Sequence, residues 1–208
     1  TLALPTAPFP DPSAAYTDAS VRIFVPEGFR DRGTQDVVLH FHGHNTTLAS
    51  TLAGHRYEQH VCASGVNAIL VVPQGPVNAA SGNFGKLMTP SKTMLFLAQV
   101  LSVLYRDARI HAPVLDSVTL TSHSGGYQAV ALNAASSAVP TRRIDLYDSL
   151  YGYLSTYQAF AETGLPFRSD YTSAGGTLTN NQDLATTLSG LGVVVSTDAT
   201  LLALRDAE

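Results

Sequence analysis

The sequence predicts an α/β fold: a three-layer α/β/α sandwich around a mainly parallel sheet. Three observations carry that prediction. Short β-type runs alternate with segments of helical spacing through nearly the whole length. Asn67 to Val72 is almost continuous in apolar residues, as expected of a strand covered on both faces. The 208 residues are 45% apolar and 13% charged, which suits one domain with a substantial core.

The elements follow in order. Residues 1–20 are rich in Pro, Ala and Asp and read as an N-terminal coil; residues 21–208 read as the single domain. Val21 to Val25 alternates and stops at Pro26, which suits a strand near a sheet edge. Asp36 to Phe41 is a second strand. A helix is expected from Leu48 to Ala63, followed by the strand Asn67 to Val72. Pro73 to Pro90 is a polar loop long enough to cover a site. Ser91 is then the expected helix cap, because Met94, Leu97, Ala98, Leu101 and Leu104 recur at helical spacing.

Asp116 to Thr121 is the next strand and Gly125 to Ser137 the helix after it. Strands are expected at Arg143 to Tyr147, Phe167 to Thr172 and Val193 to Val195, and helices at Thr179 to Ser189 and Thr197 to Ala207. The final helix leaves the alternation one strand short, so the sheet is expected to lack its last strand within these residues. Asp183 and Asp198 read as helix-start residues.

Composition excludes several functions. The net charge is −4 and the basic residues form no stripe, so nucleic acid is not an expected partner. No apolar run is long enough to cross a bilayer. The single cysteine, Cys62, permits no internal disulfide and reads as a buried helical thiol. The chain starts at Thr1 without a methionine, which fits a removed secretory signal, so a secreted or periplasmic location is expected, with the cytoplasm as the alternative.

Three motifs lie just past strand ends, where sites form in open parallel sheets. In Thr121-Ser122-His123-Ser124-Gly125-Gly126-Tyr127, an apolar strand runs into a serine with small neighbours and then a helix. That is the layout of a nucleophile elbow, a tight turn that lifts a serine oxygen above the sheet. Ser124 is the candidate nucleophile; the bland alternative is a capping serine. In Leu39-His40-Phe41-His42-Gly43-His44-Asn45, Gly43 permits close backbone approach. The N–H of His44 or Asn45 is then expected to join that of Gly125 around a developing oxyanion, where one lost donor costs ~3 kcal/mol of barrier. His42 is a candidate substrate contact. A rival reading takes His40, His42 and His44 as metal ligands, since period two places them on one side of a strand. In Leu146-Tyr147-Asp148-Ser149-Leu150-Tyr151-Gly152, Asp148 is the candidate acid that orients an imidazole. Tyr127, Tyr151 and Tyr153 lie nearby; the first two are candidate substrate contacts, with ordinary packing as the alternative.

Together these segments resemble the α/β-hydrolase superfamily of serine esterases, lipases and peptidases. The resemblance implies a Ser-acid-His triad, no cofactor, and hydrolysis of an acyl bond in a small-molecule substrate, an ester before an amide. Carried over, Ser124 is the nucleophile and Asp148 the acid, with Gly125 and His44 or Asn45 at the oxyanion site. Two departures stand out. Ser122 replaces the first glycine of the elbow pattern, and none of the seven histidines follows His123. The base histidine is expected beyond residue 208 or on a second chain, with a histidine before the elbow, such as His44, as the substitute; His123 directly precedes the nucleophile and is expected to point away from it. A non-catalytic binding protein of the same fold is the remaining alternative.

Overall fold

A computed structural model describes residues 1–197. Among these residues, seven strands form one sheet in the order β1-β2-β4-β3-β5-β6-β7. They are β1 (Leu2–Ala3), β2 (Ser20–Phe24), β3 (Gln35–Phe41), β4 (Ile69–Pro73), β5 (Leu115–His123), β6 (Thr141–Tyr147) and β7 (Phe167–Asp170). The strands β4, β3, β5, β6 and β7 run parallel, while β2 pairs antiparallel with β4 and β1 antiparallel with β2. The helices are α1 (Leu48–His55), α2 (Tyr57–Ser64), α3 (Pro90–Arg106), α4 (Tyr127–Ala134), α5 (Leu154–Glu162) and α6 (Leu178–Gly190).

Alternation along the central strands sorts the core into two layers. Val37, Leu39, Phe41, Ile69 and Val71 face one side and pack with Phe96, Leu97, Val100 and Leu101 of α3. Leu70, Val72 and Val38 face the other, against Leu48 and Leu52 of α1 and Tyr57 and Val61 of α2. The sandwich is thus three layers deep, as expected. Pro90 opens α3 at its first position, where its missing N–H costs nothing, so Thr89 rather than Ser91 precedes the helix.

Several expectations need correction. The helix from Leu48 to Ala63 is two helices, because Arg56 takes a left-handed conformation (φ 49°) between them. α2 buries none of its residues fully, and Cys62 is exposed, not a core thiol. Leu2–Ala3 forms a short edge strand inside the expected coil, which is otherwise pinned down: Phe9 is buried and the Lys86 N–H donates to the Pro8 carbonyl at 3.1 Å. Val193 to Val195 forms no strand; it has no partner in the sheet, and Val194 is 95% exposed. Asp183 lies mid-helix in α6. The expected final helix falls outside the described residues, apart from Thr197, as does Asp198.

α5 was not anticipated. Its Tyr157, Phe160 and Ala161 are buried together, and it packs between β6 and β7 in sequence, supplying the crossover that parallel strands require.

Candidate active site

The sheet register brings the three motifs side by side. Phe41 pairs with Ser122, and His123 with Tyr147, across β3, β5 and β6. The loop at His42, the bend at Ser124 and the turn at Asp148 therefore leave neighbouring strands at one rim, where adjacent strands are ~4.8 Å apart.

Ser124 sits at the sharpest point of that rim. β5 ends extended at His123, Ser124 turns to φ 47°, and a single 3-10 turn (Ser124–Gly126) leads into α4. A non-glycine residue in this region carries strain of order 1–3 kcal/mol, which the surrounding contacts must hold. Those contacts explain the small residues. A Cβ at Gly126 would lie 2.3 Å from the Phe41 carbonyl oxygen, and one at Gly125 2.0 Å from Cδ2 of the His44 ring. A Cβ at Gly43 would lie 2.9 Å from His123 Nδ1 and 3.1 Å from Ser124 Cβ. The β3 loop and the elbow are pressed backbone to backbone.

Ser122, the departure from the glycine pattern, has a defined role. Its buried hydroxyl meets Ser149 Oγ at 2.7 Å, and Ser149 Oγ in turn donates to the Ser124 carbonyl at 2.7 Å. A serine relay thus ties the elbow to the segment carrying Asp148. Neither serine stood out in the motif beyond its small size.

Asp148 also adopts a left-handed backbone (φ 45°), and its N–H donates to the Asp170 carbonyl at 2.7 Å. Its carboxylate accepts from the hydroxyls of Thr177 and Thr172, the latter at 3.3 Å. Gly175 lies so close that a Cβ there would meet Oδ2 at 2.4 Å. Asp170, at the end of β7, forms an ion pair with Arg168 instead.

The histidines divide sharply. His42 is 1% exposed. Its Nδ1–H donates to the Gly43 carbonyl at 2.8 Å, and Nε2 accepts from the Gly75 N–H at 2.8 Å and the Gln74 amide at 3.0 Å. It is a strut that holds the β3 loop to the loop after β4, not a substrate contact. Burial holds its pKa below the ordinary histidine value. The metal reading fails on the same geometry, because both nitrogens of His42 are committed. His40 is buried too, with Nδ1 2.8 Å from Thr121 Oγ1 and its ring 4.1 Å from that of Tyr57, and burial pushes its pKa well down. His123 lies 4.7 Å, ring to ring, from His55, and burial lowers its pKa against the opposing pull of Asp148. Of His40, His42 and His44, only His44 is exposed, with its ring across Gly125.

Asn45 is excluded as an oxyanion donor. Its N–H is already given to the Ala79 carbonyl at 2.9 Å. Between the two donors expected from this loop, that leaves the N–H of His44. Gly125 lies in the first turn of a helix, where N–H groups have no intrahelical acceptor. The loop after β4 closes one side of the rim: a Cβ at Gly82 would lie 2.5 Å from the Gly125 carbonyl oxygen. A cavity of about 270 Å³, lined by Phe29, Val61 and Asn67 among others, lies at the opposite end of the strands and plays no part here.

Solved structures share this fold. A ferulic acid esterase matches over 84% of this chain and 80% of its own, at 12% identity and a TM-score of 0.58. A thermostable esterase matches over 88% of this chain at 17% identity and a TM-score of 0.56, and this chain spans half of its length. The fluorophosphonate-binding serine hydrolase F of Staphylococcus aureus, with substrate bound, matches over 84% and 81% at 12% identity and a TM-score of 0.51. The chain has the α/β-hydrolase fold. No protein-family model matches it, and no curated protein matches it in sequence. Within the α/β-hydrolase fold, Ser124 occupies the bend after β5 and Asp148 the turn after β6. Among the described residues no helix is long and apolar enough to cross a membrane.

Proposed function

We propose that this chain is a serine hydrolase that cleaves a carboxylic ester through an acyl-enzyme on Ser124. The observation that carries the reading is the strained bend at Ser124, φ 47°, clasped by Gly43 and the first turn before α4. A serine hydroxyl becomes a useful nucleophile only when a base takes its proton and donors receive the charge it creates. Ser124 Oγ attacks the ester carbonyl carbon, and its proton passes to an imidazole. The carbonyl oxygen becomes an oxyanion facing the N–H groups of Gly125 and His44. Collapse of the tetrahedral species expels the alcohol, which takes the proton back. Water then attacks the acyl-serine by the same route and releases the carboxylate.

Asp148 is the group that orients the imidazole and stabilises its charged form. The hydroxyls of Thr172 and Thr177 and the Gly175 backbone fix its carboxylate, which supports that role. The imidazole itself is assigned to a segment after residue 208 or to a second chain. The esterase and serine hydrolase descriptions of the structural neighbours agree with this chemistry.

The test is covalent labelling of the full-length protein with an activated fluorophosphonate. Labelling at Ser124 that disappears in Ser124→Ala is expected, together with hydrolysis of 4-nitrophenyl acetate. Equal labelling of the Ser124→Ala protein would remove Ser124 from the reaction.

A further inference from the structure

Three tyrosines gather beside the bend, and the reaction as proposed uses none of them. Tyr127 begins α4, three residues after Ser124. The ring of Tyr151 lies 5.9 Å from that of Tyr127, and the ring of Tyr153 6.0 Å from it, centroid to centroid. Tyr151 is 41% and Tyr153 42% exposed. Aromatic side chains of this size are normally drawn inward, so a contiguous exposed group calls for an occupant.

The mounting of these rings is rigid. Ser149, two residues before Tyr151, is bonded to the Ser124 carbonyl, and Asn180 of α6 donates to the Leu150 carbonyl at 2.8 Å. Leu150 itself is fully buried. Glycines back the rings: a Cβ at Gly152 would lie 3.4 Å from Tyr127 Cε2, and one at Gly176 3.0 Å from Tyr151 Cε1. Gly175, the neighbour of Gly176, is the residue packed on the Asp148 carboxylate. One short loop thus fits both the acid and the tyrosine surface.

Tyr153 adds a second kind of observation. Its backbone is left-handed (φ 59°), a conformation that favours glycine, and it caps α5 without a side-chain hydrogen bond. A half-exposed tyrosine kept in a strained position where its side chain makes no capping bond points to a use for its ring.

We infer that Tyr127, Tyr151 and Tyr153 form a platform for an aromatic ring of the substrate, so that the ester hydrolysed carries such a ring on its acyl or its alcohol side. The inference rests on the reading of Ser124 as nucleophile. Flat, polarisable rings stack on tyrosine faces or meet their edges; a saturated ring of equal size offers no such fit. The chain contains no tryptophan, so among its aromatic residues the tyrosines are the ones that present both a broad face and a polar tip at this rim.

The experiment uses the full-length protein carrying Ser124→Ala, so that esters bind without turnover. Dissociation constants are measured by ligand-observed NMR for methyl benzoate against methyl cyclohexanecarboxylate, and for benzyl acetate against cyclohexylmethyl acetate. At least fivefold tighter binding of the aromatic member is expected in one pair, and that pair shows whether the acyl or the alcohol side carries the ring. Tyr151→Phe keeps the preference, Tyr151→Ala lowers it at least threefold, and Tyr151→Ala with Tyr153→Gly abolishes it. Glycine at 153 relieves the backbone, so lost preference in that variant with an unchanged melting temperature is not unfolding. Equal affinities within both pairs, or a preference that survives the double substitution, would overturn the inference. Labelling of the unsubstituted protein is the separate control: its failure removes the nucleophile, whereas its success with equal affinities removes only the platform.

Discussion

Ser149 donates its hydroxyl to the carbonyl of Ser124 at 2.7 Å while receiving that of Ser122. All three groups are withdrawn or half-withdrawn from solvent, so no water easily replaces a lost partner. Ser149→Ala is expected to leave the buried Ser122 hydroxyl unpaired and the Ser124 carbonyl held by the Tyr127 N–H alone, and to cost about 1–3 kcal/mol. Denaturant titration measures that loss. The labelling rate at Ser124 should fall with it, because the bend loses its tie to the β6 turn. Wild-type stability and labelling together would mean that the relay carries no load.

The two glycines after Ser124 should respond differently to alanine. At Gly126 the added methyl meets the Phe41 backbone, which cannot yield cheaply, so a loss of about 1–3 kcal/mol or more is expected. At Gly125 it meets the end of the exposed His44 side chain, which can swing aside. Gly125→Ala should therefore melt near the wild-type temperature while ester turnover falls. A Gly126→Ala protein as stable as wild type would contradict the packing described.

Asp148→Asn separates charge from shape. Asparagine tolerates the left-handed backbone and still accepts a hydroxyl hydrogen bond, so the fold should survive with a loss of about 1–2 kcal/mol. Turnover in the full-length protein should drop about 10⁴-fold, the scale seen when a triad aspartate becomes asparagine and the imidazole is held in the wrong tautomer. Unchanged kcat/KM would move the acid elsewhere.

Acid should destabilise the protein through its buried imidazoles. Burial keeps His40 and His42 neutral in the folded chain, while unfolding returns both to an ordinary pKa of about 6.5. The unfolded state thus binds more protons below that pH. The stabilisation is complete above pH ~6.5 and shrinks as pH falls, by at most about 1.4 kcal/mol per pH unit for each ring. Urea midpoints between pH 8 and 5 read this directly, and a flat profile would show that the rings are protonated in the fold.

The sheet was legible because its strands announce themselves locally. Val37, Leu39 and Phe41 alternate, and Ile69 to Val72 is apolar on both faces. The bend at Ser124 was legible because a tight turn admits only small residues. Other features depend on partners distant in sequence. Nothing near Asn45 shows that its amide belongs to Ala79, and nothing near His42 shows that Gly75 will claim its second nitrogen. Arg56 breaks a helix although it is neither glycine nor proline, and Gly54, two residues earlier in the last turn of α1, was a weak local sign of it. α5 is different: Leu154, Tyr157 and Phe160 stand at helical spacing, and the pattern was there to be read. Val193 to Val195 shows the converse, a strong β-type run that stays coil because no neighbouring edge receives it.

The amino-terminal segment reaches further than its position suggests. Pro8 and Phe9 wedge against Gly85, next to Phe84, whose ring touches those of Phe41 and His42 beneath the bend. Trimming the first nine residues would thus pull a footing from under the covering loop, and damage at one tip of the polypeptide would be felt as lost chemistry at the other side of the molecule's core.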